Sequence, residues 1–573
     1  MCLNKKRVTR LVLGIGVILL LTAAPAAAQK LSVRSATPNT GAQETIDLDV
    51  VIDGTGFGPG AQAKFVLSGT DNPDGIRVKN TRFVNNTQLV ATVDIDATAS
   101  LALFDIKVAV NGRSGKGTDL FQVIEKVAAC ESGITRLAFA PLVIDAWPKD
   151  LACGVGAGGA LDCNFGNEGL VTTTLVQPQG ALAVDMITEA DGRLVVLATG
   201  RPPGVSADTA ASAFFLLRFQ PNGAIDSTFG AGGLAHVAFT SQADWEKPTT
   251  MARQPDGRIL VAGYYFQGGN RTEAVIARFL PNGTLDSSFG SGGRATVNFG
   301  VRTDVYLSDV ALQADGKIVA LAGGTQFRIA RLMPNGVADS TFGTAGVVTL
   351  PIAATSASVH ASGVAFQKLG AQESIVFAGN TALCQQSVPD FVVGRVRLDG
   401  TLDTTFGPSG SGWTAVDFAG GYEEVYDMAL DPLGRILLAG RTYNAVALAR
   451  FTERGMLDAS FGSLGAVLTH VTGTGGFLES VLIDAAGRIV AAGWHSSGGS
   501  DFDFLVQRYL DNGTPDPTFG LNGSVVTVFP NTLQPLESAR AIAIQPSGRI
   551  VAAGRGGGSG SGNSWVALAG YVP

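Results

Sequence analysis

The sequence predicts an all-β chain in which a small β-sandwich precedes a seven-bladed β-propeller closed by its own C-terminal strand. Three observations carry this. A phrase built on Asp-x-x-Phe-Gly returns seven times, a second phrase built on a Gly turn and a β-branched run alternates with it, and the chain ends on a strand with no such phrase after it. In-phase repetition of this kind marks a stacked repeat architecture and governs the rest of the reading.

The first phrase is clearest over residues 275–290: a strand, the turn Pro281-Asn282-Gly283, then Asp286 and Phe289-Gly290. Its Asp recurs at Asp162, Asp226, Asp286, Asp339, Asp403, Asp458 and Asp516, with a mean interval of 59 residues. Its Phe recurs at Phe165, Phe229, Phe289, Phe342, Phe406, Phe461 and Phe519. Each Phe is expected to wedge between blades. The second phrase is clearest at Asp256-Gly257-Arg258-Ile259-Leu260-Val261-Ala262-Gly263, and its copy over 374–379 lacks the basic residue. A Gly turn entering a β-branched run reads as a hairpin. One unit then holds four strands, at 274–279, 294–299, 307–313 and 317–321. No run has helical spacing. Four antiparallel strands per unit match a propeller blade, whose faces are buried only by radial packing.

Residues 565–571 repeat the first strand of the unit, whereas no such strand precedes Asp162. The last strand is therefore expected to complete the first blade and to remove two exposed sheet edges. Residues 161–573 then make seven blades. An open β-solenoid is the alternative architecture.

The pattern Ala-Arg-Phe-x-Pro-Asn-Gly-x-Leu-Asp-x-x-Phe-Gly, followed by Asp-Gly-Arg-Ile-x-Val-Ala-Gly, resembles the delta-60 repeat family of bacterial secreted proteins across 161–573. The resemblance implies a propeller-like fold and no assigned activity. This chain departs from the pattern at Ala338, at Pro515, and at Gly570, where the Arg of the first strand should stand.

Residues 1–28 read as a secretory signal. Lys5, Lys6, Arg7 and Arg10 precede the apolar run 11–21, and Ala26-Ala27-Ala28 offers a cleavage site. An uncleaved anchor is the alternative, but the run is short for a bilayer. Residues 30–125 alternate in the manner of a small sandwich at 46–52, 63–66, 88–93, 104–110 and 120–124. Pro38 and the segment Gly54-Thr55-Gly56-Phe57-Gly58 resemble the IPT/TIG immunoglobulin-like family. That resemblance implies a Pro opening the first strand, a Phe entering the core, and a spacer or binding role. Residues 126–160 join the two parts, and 134–144 can add a strand. Export permits disulfides among Cys130, Cys153, Cys163 and Cys384. Cys153 with Cys163 would pin the linker to the first blade, although three pairings remain open.

Composition narrows the function. A net charge of −7 without a basic patch beyond the N-terminus argues against a nucleic-acid partner. No second long apolar run is present, so no membrane span is expected after signal removal. The four histidines, His236, His360, His470 and His495, lie in no nucleophile or zinc motif, so no catalytic residue and no cofactor is expected. Asp511, Asn512 and Asp516 come nearest to a calcium loop. Calcium wants six or more oxygens, however, and a turn Asp ordinarily accepts its own backbone N–H groups. Arg218, Arg278, Arg331, Arg395, Arg450 and Arg508 recur in nearly every copy, as partners for the turn Asp would.

Function is expected where the copies differ, in loops. Two such segments hold Asp244, Trp245 and Glu246, and Tyr422, Glu423, Glu424 and Asp427. Aromatics beside carboxylates suit sugar or peptide binding; plain solvated charge is the alternative. The expectation is an exported, non-catalytic binding protein with an extracellular protein or carbohydrate ligand. The alternative is a carbohydrate-active hydrolase or lyase with carboxylates in the propeller funnel.

Overall fold

In the computed structural model the chain separates into Met1–Val127 and Ala128–Pro573. The structure describes residues 30–43, 46–124, 134–136, 142–144 and 158–573, the last apart from 174–176, 202–211, 241–244, 268–270, 301–304, 351, 353–358, 382–388, 409, 419–421, 444, 472–474, 499–500, 530–535 and 558–563. Every regular element among them is a strand. The signal, and Cys130, Cys153 and Cys384, lie outside the described residues. Cys163 is disulfide-bonded, and its partner also lies outside them.

The first unit holds two four-stranded sheets. One runs Ser32–Thr37, Leu48–Thr55, Gln88–Ile95, Ile76–Asn85; the other runs Thr40–Ala42, Arg113–Ile124, Leu103–Val110, Gln62–Leu67. Their alternating apolar positions share one core containing Val50, Phe65, Ile106 and Phe121, and Phe57 enters it. Gly54 permits a close crossing, since a Cβ there would stand 2.0 Å from the Ser32 carbonyl oxygen. Pro38 does not open the first strand. It follows Ser32–Thr37, at the step from one sheet to the other, because a residue without an N–H sits more easily at a strand end.

In the second unit seven sheets follow one another. A representative one runs Glu246–Arg253, Ile259–Phe266, Thr272–Phe279, Arg294–Val297, each strand antiparallel to the next. The four-strand unit inferred from sequence straddles two such sheets. Thr272–Phe279 and Arg294–Val297 end one, and Val305–Leu312 and Ile318–Gly324 begin the next. A periodic sequence has no intrinsic starting point, and only the pairing shows where a sheet begins.

The first strands of successive sheets pack side by side in chain order, and Ser538–Ile544 of the last packs against Gln177–Thr188 of the first. The last sheet borrows its outermost strand from the start of the unit: Leu170 pairs with Ala569 and Thr173 with Val566. Within the joining segment, Ile134–Arg136 and Leu142–Ile144 each add a parallel edge strand to a sheet.

The repeated phrase builds a clip. The Arg Nε to Asp Oδ2 distance is 2.7 Å for Arg218–Asp226, 2.8 Å for Arg278–Asp286, Arg450–Asp458 and Arg508–Asp516, and 2.9 Å for Arg331–Asp339 and Arg395–Asp403. The other carboxylate oxygen accepts the backbone N–H and hydroxyl of the Ser or Thr two residues on, as Asp286 does from Ser288. The Arg then donates to the next sheet, Arg278 to Pro334 O at 2.6 Å, and lies over its own Phe, 4.7 Å from the Phe289 centroid. Those Phe rings are fully buried. Phe229 packs with residues of its own and the following sheet, and Gly283 is required above it, since a Cβ there would lie 3.0 Å from the ring.

In the last sheet Gly570 replaces the Arg, and Arg549 from the hairpin reaches Asp162 instead at 2.7 Å. The hairpin cations Arg193, Arg258 and Lys317 also approach their Asp, at 3.3, 3.1 and 3.4 Å. This second role was not read from the sequence.

Candidate functional site in the central cavity

Every first strand carries a register shift at the same place. The extra residues are Val184, Thr249, Ser308, Ser362, Tyr426, Glu479 and Arg540. An unpaired bulge residue is freed from the ladder and its side chain can be re-aimed. All seven line one cavity of about 770 Å³. The residue just before each bulge is buried, so the bulge marks the transition from packed core to cavity wall.

The wall has two characters. Tyr264 and Tyr306 meet edge to face at 5.2 Å, and Tyr426 lies 6.3 Å from His360 and stacks on Phe477 at 5.6 Å. Elsewhere Glu479 pairs with Arg540 at 3.0 Å and accepts a hydrogen bond from Trp494. Burial pushes the Glu479 carboxyl up, with Arg540 pulling it the other way. Burial, reinforced by Tyr306, pushes the Tyr264 phenol up to about 12. Burial, then the hydrogen bond to Glu424, raises Tyr426. Burial lowers His360 against the pull of Glu424. At neutral pH these phenols and the imidazole are therefore uncharged.

The residue after the bulge does different work. Asp185 accepts the N–H groups of Met186 and Met251, both at 2.7 Å. Asp309 accepts those of Val310 and Val364, both at 2.8 Å. Asp427 accepts those of Met428 and Val481, both at 2.7 Å. Each carboxylate so ties its strand to the first strand of the next sheet. The Thr250 hydroxyl stands between two of them, 3.4 Å from Asp185 and 2.9 Å from Asp309. Burial raises the carboxyls of Asp185 and Asp309 to about 6 and that of Asp427 to about 7, against these backbone donors. Repulsion from neighbouring carboxylates adds to the rise at Asp185 and Asp427.

The residues expected from sequence are distributed unevenly. Trp245 is 61% exposed at the cavity rim; Asp244 lies outside the described residues. Glu246, Glu424 and Asp427 stand on first strands rather than in loops. Glu246 is buried and accepts the N–H groups of Phe239 and Thr240 at 2.8 and 2.9 Å, and Glu423 is fully buried, so neither is solvated loop charge. Glu424 is held by Arg441 at 2.6 Å and Tyr422 at 3.1 Å. Asp516 is clipped by Arg508, Asn512 accepts the N–H and hydroxyl of Thr514, and Asp511 pairs with Arg435 and Arg450. Tyr306, His360, Glu479 and Arg540 were missed. Aligning the seven copies places Glu479 and Arg540 at the bulge position and Tyr306 and His360 two residues before it.

Residues 254–289, 313–342, 434–461 and 487–519 match a family described as a domain of unknown function, a beta-propeller. No curated protein matches the chain. Three solved structures illustrate the resemblance. A structural genomics protein of unknown function from Bacteroides thetaiotaomicron is 14% identical, covering 96% of this chain and all of its own, at a TM-score of 0.28. An ulvan lyase of polysaccharide lyase family PL25, bound to -[GlcA(1-4)Rha3S]-, is 11% identical over 60% of this chain and 80% of its own, at 0.32. Drosophila Plexin A in complex with Semaphorin 1b is 9% identical over 70% and 86%, at 0.27. Similarity this low carries no argument about activity. Among the described residues no helix is long and apolar enough to cross a membrane.

Proposed function

We propose that the protein is an exported, non-catalytic glycan-binding propeller. In this reading its seven sheets form a closed seven-bladed ring of delta-60 type, and its first unit is an IPT/TIG-like immunoglobulin sandwich serving as a spacer. The ring reading is supported by first strands that pack in sequence back to their start, and by the pairing of Leu170–Thr173 with the final strand. Export is supported by the N-terminal charge and apolar pattern and by the disulfide at Cys163.

The observation that carries the function is the cavity wall. Rings of Tyr264, Tyr306 and Tyr426 line the cavity together with the ion pair of Glu479 and Arg540. A sugar ring has the same two characters, an apolar face and a rim of hydroxyls. Binding is favoured over cleavage because the carboxylates are already engaged. Asp185, Asp309 and Asp427 hold backbone N–H groups, and Glu479 holds Arg540 and Trp494. A general base wants a pKa near the working pH; the raised tyrosines do not offer one, and Asp185, Asp309 and Asp427, raised to about 6, 6 and 7, are taken up by backbone N–H groups.

The test is a panel of neutral and uronate-containing oligosaccharides titrated into the mature protein, with reducing ends and unsaturated products assayed in parallel. Binding without product is expected, weakened about tenfold or more in Tyr306→Ala, as for loss of one stacking face. Product formation abolished by His360→Ala would establish the lyase or hydrolase alternative, and absence of binding to every glycan would remove the proposal.

A further inference from the structure

Away from the cavity, Asp390, Asp417 and Glu423 bring three carboxylates together, with one oxygen from each lying within 4.8 Å of the others. They are 1%, 4% and 0% exposed. Glu423 Oε1 accepts the Phe418 N–H at 2.6 Å, while its Oε2 is buried and has no hydrogen-bond partner. A second observation comes from outside the triad. Thr381 pairs directly with Asp390 across the sheet, which puts the two side chains on one face. It is 0% exposed and its hydroxyl has no hydrogen-bond partner either. Asp417 continues the row, since Phe391 pairs with Val416 one step along. The sheet thus presents a hydroxyl and two carboxylates in a line, and Glu423 closes over them from the start of the next sheet.

Buried polar atoms are ordinarily satisfied, and a buried carboxylate without compensation is costly. We propose that Asp390, Asp417, Glu423 and Thr381 form a structural calcium site that fastens this sheet to the next. Calcium takes six to eight oxygens at about 2.3–2.6 Å, which sets opposite ligands about 5 Å apart, the span of this triad. Three carboxylates, each able to bind through one or two oxygens, and a hydroxyl supply that number with little or no water. Magnesium keeps several waters and suits so dry a site poorly, and a donor set of oxygen alone excludes the softer metals.

The full mature chain, stripped with chelator and dialysed, is titrated with calcium alone or magnesium alone and followed by calorimetry and melting temperature. The expected result is one calcium per chain, a melting temperature raised by calcium, a much smaller response to magnesium, and affinity reduced at least about tenfold in Glu423→Gln and in Thr381→Val. Thr381→Val preserves shape, so it keeps the test open if Glu423→Gln fails to fold. Arg136 stands in register with Asp417 on the added edge strand. If a cation of the chain neutralises the triad instead, wild-type protein will be indifferent to calcium, and that result overturns the proposal. Unchanged calcium affinity in both variants overturns it equally.

Discussion

Arg278→Met tests the idea that the repeated Arg–Asp clip, and not the hairpin cation, holds each turn to the next sheet. Arg278 is 6% exposed and Asp286 is 5% exposed. The substitution removes the 2.8 Å ion pair and the 2.6 Å bond to Pro334 O. It leaves Asp286 its bonds from Ser288 and the more solvated Arg258 at 3.1 Å. Breaking a buried pair costs about 3–5 kcal/mol. Arg258 persists but is screened, so the expected cost is about 3 kcal/mol, at the low end of that range. Arg258→Met should cost less than about 1 kcal/mol, as half-exposed pairs do. The last sheet reverses the roles: among the described residues Asp162 pairs with no cation but Arg549, so Arg549→Met, a change at the same hairpin position, should cost about as much as Arg278→Met. The assay is urea unfolding followed by tryptophan fluorescence, with equal slopes required across the variants. The reasoning is refuted if Arg258→Met and Arg278→Met are equally mild, or if Arg549→Met behaves like Arg258→Met.

Closure should be costly to weaken: Leu568→Ala, at a fully buried site opposite Val171, should lose about 2–5 kcal/mol in the same assay. Gly283→Ala should destabilise by more than about 1 kcal/mol, because φ is +86° and the new Cβ would stand 2.8 Å from Gly230 N; the melting temperature reads it. Stability should also fall as pH rises. The folded carboxyls of Asp185, Asp309 and Asp427 are raised to about 6, 6 and 7, so their contribution is complete below about pH 4 and lost as pH passes 7. The clip carboxyls run oppositely: Asp226 is lowered to about 2, where its Thr228 and Arg218 bonds outweigh burial, and its contribution is lost as pH falls from about 4 through 2. A melting-temperature maximum near pH 4–5 is expected, with a flatter decline above it in Asp427→Asn.

The succession of four-stranded sheets was legible because its stabilising features repeat. Asp286, Phe289 and Gly290 recur as a spaced pattern whose chemistry points to a turn, a wedge and a tight bend. The sandwich was partly legible. Leu48–Thr55 and Leu103–Val110 alternate visibly, but Ile76–Asn85 is largely exposed and rich in Arg, Lys and Asn, so burial leaves little trace in its sequence. The site was hidden for a different reason. Glu479 and Arg540 sit within runs that read as ordinary strand and stand at bulges on the cavity wall, while Tyr306 lines the cavity from a paired position two residues before the bulge at Ser308. Glu246 and Glu423, expected in binding loops, are buried, and sequence cannot show a carboxylate buried against backbone N–H groups.

The bulge also explains how one scaffold carries a specific site without disturbing itself. A paired residue must suit its cross-strand neighbour, whereas a bulged residue has none. Val184, Thr249, Ser308, Ser362, Tyr426, Glu479 and Arg540 can therefore differ completely while the strands on either side stay in register. The clips lie at the Pro-Asn-Gly turns and fix one sheet to the next, so the geometry of the cavity is set by residues that do not line it. Glu479 and Arg540 come from adjacent sheets, and Tyr306 from a sheet well separated from theirs in the chain. A ligand in contact with all three bridges sheets far apart in the chain, and its recognition depends on how the first strands pack together. Leu568→Ala should therefore weaken glycan binding as well as stability, although it touches no cavity residue. A variant that melts lower but binds unchanged would separate the two and show that the site is built by its nearest strands alone.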